Sequence, residues 1–220
     1  MKTLIKKLLR KNFYLWKFAF SIKSIIYHYG GGLEVYNHGC ARIKRSVVGK
    51  NNTLTIGQDS IIHNLDVFIR GNSIRIEIGN GVIIGKGCSI RCEGDNIKVI
   101  VGNNTTMTRD VHICAQENES CIVIGEDCMF SNNIIIRTSD SHPIYDISGI
   151  RINLPQNVRI GNHVWIAPES TILKGVIISD NAIVGSKSLV TKDVESSCLY
   201  AGIPAHVIKR NINWTRDELF

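Results

Sequence analysis

The residues best suited to chemistry stand in the segment Ser139-Asp140-Ser141-His142-Pro143. A histidine is the usual proton acceptor near neutral pH, because its charge changes in that range. To act as a base, His142 needs one ring nitrogen free and the other held by a partner. Asp140 could be that partner if the segment is extended, and a backbone carbonyl could serve equally well. The segment is therefore the part of the sequence in which we expect the chemistry to lie.

The elements that would position this segment are indicated by a repeat of six residues. Helical faces repeat every 3.6 residues and strand faces every 2, so neither explains a strict six. A strict six is the hexapeptide repeat of a parallel β-helix, in which three short strands and three corners make one coil. The branched apolar residues at this spacing are Ile160, Ile166, Ile172, Ile178, Val184 and Val190.

The same repeat is found upstream, and its spacing identifies an insertion. Successive coils begin at 56, 78, 101 and 124, whereas the next begins at Ile160, which is 36 residues after Ile124. We predict that the extra residues form an inserted loop, 137–157, which carries His142. The predicted core triplets upstream are Ile56, Ile62 and Phe68; Ile78, Ile84 and Ile90; Val101, Met107 and Ile113; and Ile124, Phe130 and Ile136.

The charge of the chain is concentrated at its N-terminus. The 220 residues carry a formal net charge of +7, with 26 basic and 19 acidic residues. Residues 1–33 hold seven of the basic residues and no acidic one, so residues 34–220 are neutral. A neutral repeat gives no support for nucleic-acid binding, and we predict no nucleic-acid partner.

Cysteine and histidine usage argues against disulfides and metal. The seven cysteines are odd in number and form no CxxC pair, which favours free, mostly buried thiols in a reducing, cytoplasmic setting. The seven histidines include no closely spaced pair that would place two ligands on neighbouring corners of a coil. We therefore predict no metal cofactor.

Residues 1–28 are predicted to form a basic, aromatic-rich helix. Lys17 and Lys23 interrupt any long apolar run, which disfavours a signal peptide or a membrane span. One interpretation is an interfacial helix on the inner face of an anionic membrane. The other is a helix that packs on the first coils or at a trimer contact.

We divide the chain into three parts. Residues 1–33 form the basic helical segment, 34–194 the β-helix domain, and 195–220 a C-terminal extension whose apolar residues are expected to cap the open end of the solenoid.

Residues 160–209 closely resemble the left-handed β-helix acyltransferases of the hexapeptide-repeat superfamily. This resemblance implies an all-β, left-handed parallel β-helix, acetyl-CoA as acyl donor, and a homotrimer with each active site between two subunits. The matching segments are Ile160-Gly161-Asn162-His163-Val164-Trp165-Ile166, Ile172-Leu173-Lys174-Gly175-Val176, Ala182-Ile183-Val184-Gly185-Ser186, Val190-Thr191-Lys192-Asp193-Val194 and Ala201-Gly202-Ile203-Pro204-Ala205.

Within the superfamily, the chain is similar to enzymes that acetylate sugars. His142-Pro143, followed by a loop and then Val164-Trp165-Ile166, resembles the sugar O-acetyltransferases, and Ile150-Arg151-Ile152-Asn153 resembles their surface-polysaccharide branch. The resemblance implies acetyl transfer to a sugar hydroxyl of a capsule, lipopolysaccharide or exopolysaccharide, with His142 as general base in a direct attack. Trp165 would be either a wall of the site, since aromatic faces suit sugar rings, or a trimer contact.

The resemblance also implies where coenzyme A would bind, in a groove beside the last coils. Pantetheine would contact backbone at Ala167 and Ser186, and the nucleotide end would meet Thr191, Lys192 and Lys209, since cations suit phosphates. A solvated surface is the alternative for each lysine. The family commonly has Gly and a small polar residue where this chain has Ala167-Pro168, and often Arg where Lys209 stands.

Four other functions are alternatives to this one. An amino-sugar N-acetyltransferase or an antibiotic acetyltransferase would show the same repeat, and only acceptor assays separate them. A γ-class carbonic anhydrase needs three histidines on a metal. A purely structural solenoid leaves the loop around His142 unexplained.

Overall fold

The computed structural model of the protein describes residues 28–29 and 32–219. The helix predicted for residues 1–28 lies outside the described residues, apart from His28, which forms a short strand with Tyr29. Described residues form strands and connecting corners, and no helix that could span a membrane occurs among them.

Twenty strands build the described part of the chain. In order they are β1 (His28–Tyr29), β2 (Leu33–Asn37), β3 (Cys40–Val48), β4 (Asn52–Ile56), β5 (Ile61–Arg70), β6 (Arg75–Ile78), β7 (Ile83–Lys86), β8 (Cys88–Glu93), β9 (Lys98–Val101), β10 (Thr106–Gln116), β11 (Cys121–Ile124), β12 (Met129–Arg137), β13 (Val158–Ile160), β14 (Trp165–Ile166), β15 (Thr171–Ile172), β16 (Ile177–Ile178), β17 (Ile183–Val184), β18 (Leu189–Val190), β19 (Cys198–Gly202) and β20 (Ala205–Arg210).

The strands stack into a parallel solenoid with three faces. One face is a seven-stranded sheet in the order β16-β13-β11-β9-β6-β4-β2. The other two faces join into one sheet, because long strands turn the corner between them. β10, for example, pairs with β7 through its first half and with β8 through its second half. Each coil therefore contacts only the coils before and after it.

The hexapeptide positions form the core of the solenoid. Branched side chains meet in the middle because successive strand residues point to opposite faces, and the corners repeat every coil. Every predicted position from Ile78 to Val190 is almost fully buried, as are Ile56 and Ile62. The all-β solenoid that the repeat predicted is therefore confirmed.

Phe68 is the exception, and the prediction that it points into the core is wrong. Ile62 pairs with Ile84, but Val67 rather than Phe68 pairs with Ile90. The corner between these positions is thus one residue shorter than in the next coil. Val67 takes the core position, and Phe68 faces outward beneath the Arg91 guanidinium, 4.3 Å from its ring centroid.

One corner of the solenoid carries a residue of positive φ in each coil. Asn, Asp and His enter this left-handed region more readily than other side chains. The corners stack through backbone hydrogen bonds, such as His163 N–H to the Glu126 carbonyl at 2.8 Å. We call five of these residues the corner column: Asn104, Asp127, His163, Asn181 and Ser197, with φ of 58°, 54°, 52°, 58° and 53°.

The C-terminal residues leave the repeat as an antiparallel hairpin. β19 pairs with β17 of the last coil, and β20 folds back on β19. The hairpin reverses the chain, so residues 211–217 run back along the corner column. The expectation that the apolar tail covers the open end is therefore wrong for Trp214, which is buried against His163.

Candidate active site

The segment that carries His142 is a closed loop at one corner of the solenoid. It connects β12, which ends at Arg137, to β13, which begins at Val158. The Gln156 N–H donates to the Thr138 carbonyl at 2.9 Å, so the loop leaves and returns at one point. The coils on either side consequently stack as if the loop were an ordinary corner.

Asn153 organises the loop from its centre. Its side chain is 7% exposed. Nδ2 donates to Asp140 Oδ2 at 2.9 Å and to the His142 carbonyl at 2.8 Å, while Oδ1 accepts the Ile144 N–H at 2.7 Å. One amide thus uses both donors and its acceptor on loop residues. The backbone on both sides of His142 is held in one conformation as a result.

Two ion pairs fasten the loop to the neighbouring coils. Arg151 donates two hydrogen bonds to Glu117, at 2.6 and 2.8 Å, and Lys174 Nζ donates to Asp140 Oδ2 at 2.6 Å. The Arg151 bonds hold the pKa of Glu117 below its ordinary value. The bond from Lys174, followed by that from Asn153, does the same for the pKa of Asp140. The bidentate pair also fixes direction as well as distance.

The His142 imidazole is exposed and makes no side-chain hydrogen bond to any described residue. Among the described residues, the Asp140 carboxylate bonds to Lys174 and Asn153, and no hydrogen bond joins it to this imidazole. The two predicted site residues are joined instead through Asn153. A direct orienting role of Asp140 therefore has no hydrogen bond to support it here, and the role stays a prediction.

Trp165 lies on a different face from the loop. It sits in β14 between Met129 and Ile183, and its ring is 6.1 Å from that of Trp214. Its indole Nε1–H is buried and has no acceptor among the described residues. A buried donor without a partner normally costs free energy, so it needs an explanation. Within one chain, no described hydrogen bond or ring contact joins Trp165 to His142.

The five predicted coenzyme A residues fall into three places. Ala167 is almost buried, and its N–H donates to the Val184 carbonyl at 2.9 Å. Ser186 lies exposed at the same corner of the next coil, since the Lys187 N–H reaches the Pro168 carbonyl at 2.8 Å. The structure thus brings the two predicted pantetheine contacts together.

The predicted phosphate-binding residues lie elsewhere and are all exposed. Thr191 and Lys192 occupy the following corner, where the Leu173 N–H donates to the Val190 carbonyl at 3.0 Å. This is also the corner from which Lys174 reaches the loop. Lys209 stands on β20, opposite Leu199. Lys192 and Lys209 therefore flank the last coils without sharing a strand.

Sequence reasoning missed the residues that hold the loop. Lys174 and Asn153 lie in segments that resemble the family, but the sequence alone assigns no role to either residue. Glu117 could have been found by counting one coil back from the loop, because corners at equal positions stack. Among the described residues, no group of three or more His, Cys, Asp or Glu side chains is placed to hold a metal ion.

The outer surface of the loop is apolar. Six large hydrophobic side chains are more than half exposed within about eleven residues. Clusters of this kind on a soluble domain mark interaction surfaces. We call these residues the loop face: Ile144, Tyr145, Ile147, Ile150, Ile152 and Leu154.

Comparison with known proteins identifies the family. Residues 157–192 match the family described as bacterial transferase hexapeptide (six repeats). A polysialic acid O-acetyltransferase of Neisseria meningitidis is 38% identical over 174 residues, covering 78% of this chain and 79% of the relative. A polysialic acid O-acetyltransferase of Escherichia coli O1:K1 / APEC is 44% identical over 96 residues, which span 43% of this chain and 31% of that protein.

A solved structure agrees with the sequence comparison. A polysialic acid O-acetyltransferase superposes with a TM-score of 0.68 at 32% identity, covering 84% of this chain and 92% of that one. The predicted fold class and enzyme class are both confirmed. The chain belongs to the hexapeptide-repeat O-acetyltransferases, which fold as left-handed parallel β-helices.

Proposed function

We propose that the protein transfers an acetyl group from acetyl-CoA to a sugar hydroxyl of a bacterial capsule polysaccharide. The observation that carries this proposal is the similarity to the meningococcal polysialic acid O-acetyltransferase, which extends over most of both chains. The two relatives are named as polysialic acid O-acetyltransferases, and polysialic acid is an acidic polymer, so we favour an acidic sugar polymer as the acceptor.

His142 is the proposed general base. A sugar hydroxyl is a weak acid, so it must lose its proton as its oxygen attacks the thioester carbonyl. The imidazole takes that proton, the carbon–oxygen bond forms, and the carbon–sulfur bond breaks. The proton then passes to the departing thiolate of coenzyme A, and no covalent enzyme intermediate is needed. The exposed imidazole, free of partners among the described residues, is suited to this exchange.

Loop rigidity supports this role. Holding a base in reactive geometry contributes a large share of catalysis, because orientation is fixed before the reaction. Asn153 holds the His142 carbonyl, and the pairs Arg151–Glu117 and Lys174–Asp140 hold the loop. Asp140 therefore acts on His142 by fixing the backbone, in this proposal.

Trp165 is the proposed partner of the acyl group. The tetrahedral intermediate carries an oxyanion, and preorganised donors stabilise it strongly. The unsatisfied Trp165 Nε1–H is a donor of the required kind. No described contact joins Trp165 to His142 within one chain, so the proposal places each site between two subunits.

We propose a homotrimer in which the loop face of one subunit packs on the next. The loop face exposes six hydrophobic side chains, and the contact of this apolar surface with water is unfavourable. Its coverage by a second copy would bring a His142 loop against the outer face of a neighbouring solenoid.

Acetyl-CoA is proposed to bind beside the last coils. The small corner residues Ala167 and Ser186 allow the pantetheine to approach the backbone. Thr191, Lys192 and Lys209 are exposed and free to meet the nucleotide phosphates, for which lysine supplies a point charge.

The N-terminal segment is proposed to hold the cytoplasmic enzyme at the inner membrane face. All of the net charge lies in residues 1–33, and such a segment gains affinity from anionic lipid. Full-length protein should bind anionic vesicles at low salt and partly leave them at high salt. Deletion of residues 1–28 should abolish binding and preserve acetyl transfer; equal binding by both forms would contradict the proposal.

The deciding experiment is an acceptor assay with purified protein and acetyl-CoA. The panel contains polysialic acid, a neutral dextran, glucosamine and chloramphenicol, and thiol release gives the rate. We expect release with polysialic acid and alkali-labile acetyl groups on the polymer. Faster transfer to the amine or to the antibiotic would replace this proposal by one of the alternative acetyltransferases.

A further inference from the structure

The C-terminal tail, residues 211–217, docks along the corner column. The Ile212 N–H donates to the Ser197 carbonyl at 2.9 Å, and Asn181 Nδ2 donates to the Ile212 carbonyl at 3.1 Å. The tail thus passes from the last coil toward the coil that holds Trp165. It contacts the positive-φ residue of each coil in turn.

Trp214 is the centre of this docking. Its ring stacks on His163 with centroids 4.0 Å apart and planes inclined by 9°, and its Nε1–H donates to the His163 carbonyl at 2.9 Å. Only 6% of Trp214 is exposed. The ring is also 6.1 Å from that of Trp165, tilted by 47°, within the range of an aromatic pair. Trp214 therefore contacts both His163 and Trp165.

Both ring nitrogens of His163 face acceptors. Nδ1 is 2.6 Å from Asp127 Oδ2, and Nε2 is 3.0 Å from the Trp214 carbonyl oxygen. The two contacts hold the ring between the Asp127 carboxylate and the carbonyl of the tail. The charged groups around it are Asp127 and, across that carboxylate, Arg216. His163 thereby links the tail to the solenoid by two hydrogen bonds.

Arg216 fastens the end of the tail to the solenoid by hydrogen bonds. Its Nε donates to Asp127 Oδ1 at 2.8 Å, Nη2 to the Cys128 carbonyl at 2.9 Å, and Nη1 to Thr106 Oγ1 at 3.0 Å. Burial favours a higher pKa for Asp127, but hydrogen bonds from His163 and Arg216 outweigh it and hold that pKa below its ordinary value. These hydrogen bonds therefore favour the charged form of the Asp127 carboxylate.

We infer that Trp214 is a positioning residue for the acyl-transfer reaction: docked by His163 and Arg216, it fixes the indole of Trp165. The inference rests on the proposed function, in which the Trp165 Nε1–H meets the acyl oxygen. Trp165 lies on a strand of only two residues. Its indole packs against the ring of Trp214 on the side that faces the tail. Without this support the indole has other rotamers open to it, and its donor loses its direction.

The test compares Trp214→Ala, Trp214→Phe and the control Thr215→Ala in full-length protein. Thr215 is a neighbouring exposed residue whose hydroxyl bonds only within the tail. We expect Trp214→Ala to lower kcat about tenfold, by misdirecting one donor, with KM for acetyl-CoA unchanged. Trp214→Phe keeps a ring against Trp165 and should recover most of kcat, while Thr215→Ala should match the wild type.

A spectroscopic signature separates positioning from stability. Two indoles in contact give a shared near-UV circular dichroism band, which should be lost in Trp214→Ala and equally in Trp165→Phe. A lower melting temperature with wild-type kcat in Trp214→Ala would overturn the inference and leave the proposed function intact. Failure of wild-type protein to acetylate any acceptor of the panel would overturn both.

The contacts of His163 are tested by His163→Asn, because Asn tolerates the positive φ of this corner. The variant lacks the ring on which Trp214 stacks, so the indole band should weaken. A band identical to that of the wild type would contradict the role given to His163.

Discussion

The inserted loop and the C-terminal tail are both irregular segments fastened to corners of the solenoid, but they face opposite ways. The loop buries the side chain of Asn153 at its centre and turns its hydrophobic side chains outward. The tail buries its large aromatic residue, Trp214, against its own chain. The aromatic residue of the tail is thus buried within one chain, whereas the hydrophobic side chains of the loop are left exposed.

The largest loss of activity is expected from a substitution in the loop, at His142. Replacing His142 by Ala removes the proposed base, so kcat should fall by about 10²–10⁴-fold, with KM for acetyl-CoA little changed. Thiol release at saturating acceptor measures this. His38→Ala, an exposed histidine on the solenoid, is the control. A folded His142→Ala protein with near-normal kcat would remove the loop from the chemistry.

The role of the loop face in trimer formation is tested by introducing a charge there. Ile147→Asp places a carboxylate on the loop face, so the trimer should dissociate and most activity should be lost, because the shared site is broken. Leu219→Asp makes the same change at an equally exposed residue beyond the tail and should do neither. Light scattering at micromolar protein gives the mass. A wild type that is only monomeric would refute the trimer.

The inward side of the loop is tested at Asn153. Asn153→Ala removes the amide hydrogen bonds to Asp140 and to the His142 carbonyl, although Lys174 still holds Asp140. We expect kcat to fall by about 10–100-fold, since small displacements of a catalytic group have effects of this size. Limited proteolysis should now cut within residues 138–157. If the loop resists cleavage and kcat is normal, the amide is not what holds His142.

The smallest effect is expected from Glu117→Gln. The pKa of Glu117 is lowered by Arg151, so the unfolded chain binds protons where the folded chain does not, and stability falls as pH drops through the ordinary carboxylate range. The variant should melt lower than wild type at about pH 7, and the gap should narrow toward about pH 4. Glu218→Gln, an exposed carboxylate after the tail, should change neither value. An equal gap at both pH values would show that this ion pair does not stabilise the loop.

Sequence periodicity predicts the solenoid well, for a physical reason. A branched side chain at every sixth position has only the interior to enter, so Ile160 or Val184 could be assigned without coordinates. The orientation of Phe68 could not be assigned in this way. A corner shortened by one residue leaves an apolar residue, Phe68, at the sixth position, but it moves the neighbouring residue, Val67, into the core. The same limit applies wherever a corner changes length.

A site residue could be predicted from the sequence only where its residue type and position alone indicate a role. His142 stood out because it lies in the one large insertion of the repeat, between Ile136 and Ile160. Its supports did not: Glu117 and Arg151 lie 34 residues apart, and Trp214 and His163 lie 51 apart. Contacts at such separations follow from how coils stack and where the hairpin sends the tail, which local patterns do not encode.

The docked tail changes how the solenoid can come apart. A stack of coils with only neighbour contacts resembles a one-dimensional lattice, which frays from its ends a unit at a time. Arg216, however, is bonded to Thr106, 110 residues earlier in the chain. The last coils therefore cannot fray while the tail stays docked, and loosening them requires rupture near the middle of the molecule. A single short segment in this way turns the C-terminal half into one cooperative unit.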